Sequence, residues 1–256
     1  MLPSEKALVP FVSVDHMMQL VHRVGLAEMI TRIADAIEDD FRRWESFDKT
    51  PRVAAHSAVG VIELMPTAND TQYAFKYVNG HPKNTAEGLQ TVTAFGLLAD
   101  VDTGYPVLLS EMTLLTALRT AAMSALVAKH LAPKGATTMA MIGNGAQAEF
   151  QSIAMQAICG ITSVRLFDKD PRATKKCADN LASSGLDVTV CNTAEDAIES
   201  AEILTTCTAD KQYATILTDN MVGSGVHINA IGGDCPGKSE LAEAILHRSS
   251  IFVEYP

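Results

Sequence analysis

Three charged residues stand inside apolar stretches of the first half of the chain. Glu63 interrupts Val61-Ile62-Glu63-Leu64-Met65, Lys76 interrupts Ala74-Phe75-Lys76-Tyr77-Val78, and Arg119 interrupts Leu118-Arg119-Thr120-Ala121-Ala122. Lys and Glu are rarely fully buried unless paired. For any one of them alone, a solvent-facing position is the plain alternative. A fourth, Asp234, follows Gly232-Gly233 where the apolar run Asn229-Ala230-Ile231 ends; a simple turn role is its alternative. Lys with Arg suits a carboxylate, which Arg grips in two places. Glu63 with Asp234 suits a ligand bearing positive charge. Together they describe an amino acid, one with a second amine. Cys235 has no activating base beside it and reads as packing. His56 and His81 read as strand-end or turn residues, and no His/Asp/Glu cluster suggests a metal.

What such a ligand would meet is set by a second stretch. The apolar run Met139 to Ile142 leads into Gly143-Asn144-Gly145-Ala146-Gln147-Ala148. An apolar run that stops at Gly-x-Gly and turns helical is a strand–turn–helix pattern. Gly143 permits the tight turn, Gly145 lets backbone approach a pyrophosphate, and Ala148 stands where a small residue packs helix on strand. The following helix would aim its N–H groups at the phosphates. Val164-Arg165-Leu166-Phe167 forms the next apolar run and ends at Asp168, 25 residues past Gly143. An acid near that spacing accepts from ribose hydroxyls; capping a turn before Pro171 is its alternative. Beside a nicotinamide, an amino acid would lose hydride from the carbon bearing its amine, and an Asp could shuttle protons on nitrogen.

These residues need two kinds of scaffold. Residues 14–46 have helical spacing, with a break near Gly25. From Arg52 to Ser110 the pattern becomes strands (52–57, 60–65, 73–78, 92–99 and 105–109), a meander of antiparallel or mixed strands. A long apolar helix follows at 112–132, and Pro133-Lys134-Gly135 marks the expected boundary. Strands and helices then alternate: strands 138–142, 163–167, 187–191, 202–207, 226–231 and 250–254, helices 146–159, 171–183, 194–200 and 238–247. The expected architecture is therefore α/β. A Rossmann-type, doubly wound parallel sheet over 134–256 follows an N-terminal α+β substrate-binding and dimerisation domain over 1–133.

Composition sets outer limits. The 256 residues are 47% hydrophobic and carry a net charge of −10, which argues against a nucleic-acid surface. Five scattered cysteines without ligand spacing read as thiols of a reducing compartment. No signal-peptide pattern and no membrane-length apolar run occur, so the cytoplasm is the expected location.

The stretches 52–57, 60–66, 75–82, 117–122, 142–147 and 232–238 together resemble the ornithine cyclodeaminase/μ-crystallin family. The resemblance covers essentially the whole chain. It implies conversion of L-ornithine to L-proline and ammonia, with NAD+ reduced and reoxidised within each turnover. It implies that Arg52, Lys76 and Arg119 hold the α-carboxylate and that Glu63 and Asp234 handle the amines, Asp234 moving the proton. Gly143, Asn144, Gly145, Ala146, Gln147 and Asp168 would bind NAD. Thr91, Arg119, Thr208 and Lys238 match positions near the cofactor. A homodimer through sheet-to-sheet association is also implied. Family members usually continue beyond the position equivalent to Pro256 with a segment that closes the nucleotide domain; this sequence stops before it, as a fragment or as a naturally short chain. A ketimine reductase or amino-acid dehydrogenase of the same family, or a non-catalytic NAD(P)-binding protein, are the alternatives.

Overall fold

In the computed structural model, which describes residues 8–208, 213–233 and 239–254, the chain opens with a two-residue strand, β1 (Phe11–Val12). Ser13 then starts a helix: its hydroxyl accepts from His16 N, while Ser13 N meets the His16 ring. This helix, α1 (Val14–Val24), ends at Gly25, whose φ of +91° suits a residue without a β-carbon. From there α2 (Leu26–Arg42) buries Ile30 and Ala34, four residues apart, and leaves its acidic and basic residues outside.

Five strands follow: β2 (Val53–His56), β3 (Val61–Ala68), β4 (Gln72–Gly80), β5 (Ala94–Asp100) and β6 (Pro106–Glu111). They pair antiparallel in sequence order, and β1 adds to β6 in parallel, giving the order β1-β6-β5-β4-β3-β2. Register assigns the faces. One row across the sheet is Val53, Leu64, Tyr77 and Phe95. Its neighbour, on the other face, is Ala54, Glu63, Val78 and Ala94. The second face buries Val78, Ala94 and Ser110 and carries Glu63 and Lys76. The first face is apolar yet open, with Val53 66%, Leu64 43% and Phe95 45% exposed.

Helix α3 (Thr113–Leu131) comes next, its start capped by Glu111, whose Oε2 accepts from Thr113 N and Leu114 N. The chain parts into two units, Met1–Arg119 and Thr120–Pro256, so the division falls inside α3 and not at Pro133. Ala121, Ala122 and Ala125 on the later part of α3 are fully buried, which ties that part to the second unit.

The second unit alternates as expected through β7 (Thr138–Ile142), α4 (Ala148–Ala154), β8 (Ser163–Phe167), α5 (Pro171–Leu181), β9 (Asp187–Val190), α6 (Ala194–Ile198) and β10 (Ile203–Thr206); an unexpected strand, β11 (Tyr213–Leu217), and then β12 (His227–Ala230) follow. The end of α4 widens into a π turn, Met155–Cys159, closed by Gly160 in the left-handed region. Five strands form an all-parallel sheet in the order β12-β10-β7-β8-β9. Numbered within the sheet, this is the 3-2-1-4-5 order of dinucleotide-binding folds, and the direction of winding changes between β7 and β10. Met139 to Ile142 are all buried, as a central strand covered on both faces requires. Ile142 and Leu204 pack with Ala197, Ile198, Leu217 and Ile245 in the core.

Two expectations near the C-terminus are corrected. The helix expected over 238–247 begins only at Glu243, as α7 (Glu243–His247); before it lies a strand, β13 (Ser239–Leu241). The strand pairs in parallel with β11, a partner the sequence reading did not assign, and the ladder outcompetes the helix start. Residues 250–254 form no strand, because Ile251, Phe252 and Val253 have no neighbouring chain to pair with among the described residues and stand exposed.

Candidate active site

The candidate residues form two clusters, one in each unit. In the first, Arg52 precedes β2 and donates through Nη1 to Glu63 Oε1 at 3.2 Å. Glu63 on β3 is largely shielded, its side chain 18% exposed, while Arg52 is open. Lys76 lies on the same sheet face, opposite Met65 on β3 and two residues along β4 from the partner of Glu63. Burial first, then Arg119 and Arg52, push the Lys76 ammonium down to a pKa of about 8 against the opposing pull of Glu63. Arg52, Glu63, Lys76 and Arg119 are thus brought together, three cations about one carboxylate. The excess positive charge, in partly desolvated surroundings, favours an anion.

The Lys76 shift has a measurable sign. Folding lowers its pKa from 10.5 to about 8, so between those values the unfolded chain binds the proton more tightly. Lys76 therefore destabilises the fold below pH 8, and that penalty fades as pH rises toward 10.5. A carboxylate that needs the charged ammonium binds progressively less well above pH 8. The affinity for valerate, which has a carboxylate and no amine, should fall by up to about tenfold per pH unit there. Calorimetric titration checks this, and a flat profile up to pH 10 would exclude Lys76 from the anion site.

Thr91 also belongs to the first unit, where its carbonyl accepts from His81 N at 2.8 Å. Asn79 accepts from Thr93 N and its hydroxyl and meets the His81 ring. These bonds hold the turn after β4 against residues 91–93.

In the second unit the glycine turn follows β7 at the change of winding. Gly143 has φ +92° and donates its N–H to Phe167 O. A β-carbon there would lie 2.9 Å from the carbonyl carbon and oxygen of Cys207. Gly143 is thus required both by its backbone angle and by the approach of the chain after β10. Asn144 is fully buried, donating Nδ2 to Met141 O and its backbone N–H to Asp168 Oδ2 at 2.6 Å. Gly145 and Ala146 are exposed, and a β-carbon on Gly145 would meet open space. Gln147 is the N-cap of α4 without a side-chain cap bond.

Asp168 ends β8 with one oxygen on Asn144 N and the other on Asp170 N. The capping role considered for Asp168 falls instead on Asp170, which accepts from Arg172 N ahead of Pro171. Each Asp168 oxygen keeps a lone pair for a further donor. Beside it, a hollow of about 340 Å³ is lined by Phe167, Lys169, Asn192, Thr193 and Ile216. An open space over Gly145, an acid at the end of the second strand and a hollow next to it fit a dinucleotide.

Thr208 follows β10, and both its N–H and its hydroxyl donate to Glu240 Oε1. Glu240 was not anticipated; the signal for it was the Gly232-Gly233 pair, which announces that some group comes close. Burial, with Glu240 adding, pushes the Cys207 thiol well above its ordinary range, and its S–H donates to Gly143 O, so it packs and does not attack. Asp234 and Lys238 lie outside the described residues. Among the described residues, no group of His, Cys, Asp and Glu could hold a metal, and no helix is long and apolar enough to cross a membrane.

Residues 14–256 match the model of the ornithine cyclodeaminase/mu-crystallin family. The ornithine cyclodeaminase of Brucella suis biovar 1 is 67% identical over 249 residues, covering 97% of this chain and 70% of the relative. Among solved structures, a lysine cyclodeaminase described with L-lysine, L-ornithine and L-2,4-diaminobutyric acid superposes with a TM-score of 0.88 at 29% identity, over 94% of this chain and 72% of that one. An archaeal alanine dehydrogenase dimer with bound NAD gives 0.83 at 30% identity, over the same shares. The chain belongs to the ornithine cyclodeaminase/mu-crystallin family.

Proposed function

We propose that this protein converts L-ornithine to L-proline and ammonia, using NAD+ that is regenerated within each turnover. The reading rests on the convergence of Arg52, Lys76 and Arg119 about Glu63, in a chain that also carries the glycine turn and is 67% identical to an ornithine cyclodeaminase. The three cations take the α-carboxylate, Arg119 and Arg52 in planar, forked contact and Lys76 as a point charge. Glu63, held by Arg52, accepts from a substrate ammonium. Asp234 moves the proton on nitrogen, so that the δ-amine can attack the carbon freed of its α-hydrogen and ammonia can leave. Gly143 to Gln147 take the pyrophosphate, with Thr208 next to Gly143 in the same unit, and the family resemblance gives Thr91, Arg119 and Lys238 cofactor roles as well. Asp168 accepts from the adenosine ribose, and its charge opposes a 2′-phosphate, which favours NAD over NADP. When bound, NAD+ would supply the hydride acceptor for the α-carbon and then the hydride donor for the cyclic imine.

The deciding measurement is mass detection of proline after incubation of the purified chain with ornithine and NAD+. Proline and ammonia without net NADH support the cyclodeaminase. Steady production or consumption of NADH would mean a dehydrogenase or ketimine reductase, and cofactor binding without turnover a non-catalytic protein.

The protein is a cytoplasmic homodimer in this reading. The open apolar sheet face is the surface a second copy would cover, since a face of this kind is costly to leave in water. Tyr77 and Phe95 stack across strands on it at 5.0 Å between ring centroids. In sedimentation analysis the parent chain should run as a dimer and the Leu64→Glu/Phe95→Glu variant as a monomer. A monomeric parent would remove the sheet face from the assembly.

A further inference from the structure

Glu240 is a buried carboxylate that the reaction above does not use. It sits in the middle of β13, 4% exposed. Its Oε1 accepts two hydrogen bonds from one residue, from Thr208 N at 2.8 Å and from the Thr208 hydroxyl. Its Oε2 has no hydrogen-bond partner among the described residues. The same carboxylate rests on the α-carbon of Gly232, where a β-carbon would collide with both oxygens.

The backbone around it is tied to neighbouring strand ends. Ile231 N and Gly232 N both donate to Thr206 O, at 3.0 and 3.1 Å. Cys207 N donates to Ile142 O at 2.9 Å, and the Cys207 thiol to Gly143 O at 3.2 Å. The Glu240 side chain therefore links the segments that leave β10 and β12, and Cys207 ties the first of these to the segment that leaves β7, at the change of winding where this fold holds its cofactor. Burying a carboxylate is unfavourable, and a Leu or Met in β13 would fill the space without that cost. Its bonds to Thr208 are charge-assisted and directional, which an apolar residue could not supply.

We propose that Glu240 is a positioning residue of the nucleotide site: its carboxylate sets the backbone and hydroxyl of Thr208 and seats the Gly232 turn against them, so that both segments are formed before cofactor binds. The proposal rests on the NAD reading above, and its test separates the two.

In the cofactor-free protein, hydrogen exchange at the Thr208 amide should quicken by about tenfold or more in Glu240→Ala, because the bond that protects it is gone. Glu240→Gln keeps an acceptor oxygen without the charge. It should hold its Tm within a few degrees while the Kd for NADH, followed by nicotinamide fluorescence, rises about three- to tenfold. Gly232→Ala alone should lower Tm, because the Glu240 carboxylate must leave its Thr208 bonds to make room. The double variant Gly232→Ala/Glu240→Ala should be no less stable than Glu240→Ala, because the collision partner has been removed. Unchanged Thr208 exchange in Glu240→Ala, or additive Tm losses in the double variant, would overturn the proposal. So would an affinity loss in Glu240→Gln that only tracks a loss of Tm. If Glu240→Ala fails to fold, Glu240→Met, which fills the space but offers no acceptor oxygen, carries the exchange measurement. A parent chain that does not bind NADH removes the cofactor reading, and the Thr208 exchange and the Gly232–Glu240 coupling still decide what Glu240 does to the backbone.

Discussion

Replacing Arg119 by Ala should lower kcat/KM for ornithine by about 10²–10³-fold, the usual cost of truncating one partner of a desolvated charge contact. The protein should remain folded, because the substitution also relieves repulsion. Arg119 is the larger of the two neighbouring charges that depress the Lys76 pKa. Its loss should let that pKa climb from about 8, so the fall in carboxylate affinity at high pH moves to a higher pH. That combination, weaker turnover with a displaced pH limb, separates a site role from general damage. Arg119→Lys should recover only part of the activity, since an ammonium returns the charge but not the forked grip. Proline formation followed across pH 7 to 10 checks both effects. A change in kcat/KM below about fivefold, or an unmoved pH limb, would take Arg119 out of the carboxylate site.

Gly143 and Gly145 should respond in opposite ways to the same substitution. Gly143→Ala places a β-carbon at φ +92° and 2.9 Å from the Cys207 carbonyl carbon and oxygen, and backbone cannot step aside as a side chain can. The strain and the contact together should lower Tm by about 5–15 °C. NADH binding should be lost with it. Gly145→Ala is free of both penalties, since its φ is not left-handed and nothing lies within 4 Å of the added atom. Its Tm should hold, while NADH affinity falls by about tenfold or more because the methyl occupies the space a pyrophosphate needs. Thermal unfolding and NADH titration of the two variants decide the matter. A Gly145→Ala protein that binds NADH normally would mean that no phosphate approaches this turn.

The pattern over the second half of the chain was readable because its signals are local. An apolar run that ends at Gly-x-Gly, repeated strand and helix periods, and an acid after the second strand each depend on a few adjacent residues, and strands β7 and β8 lie at the expected positions. The C-terminal part was misread for the same reason. Ser239-Glu240-Leu241 is too short to carry a period, and what makes it a strand is β11, more than twenty residues earlier. Likewise the helix boundary at Pro133 is a sound local break, yet the units divide at Arg119, because the small buried residues of the later part of α3 belong with the second unit.

The candidate site divides along the same line. By itself the sequence determined that a glycine turn, an acid at its proper distance and several charges in apolar strands exist, and the resemblance of those stretches named a family that the 67% identical relative bears out. Only the tertiary structure decided that Arg52, Glu63, Lys76 and Arg119 meet, since they come from two strands, the approach to a third and a helix. It alone decided which sheet face holds them, because register, once the strands pair, sends alternate residues to opposite sides. And it alone brought Glu240 onto Thr208, 32 residues earlier, and onto Gly232, where the buried carboxylate takes the space a β-carbon would need.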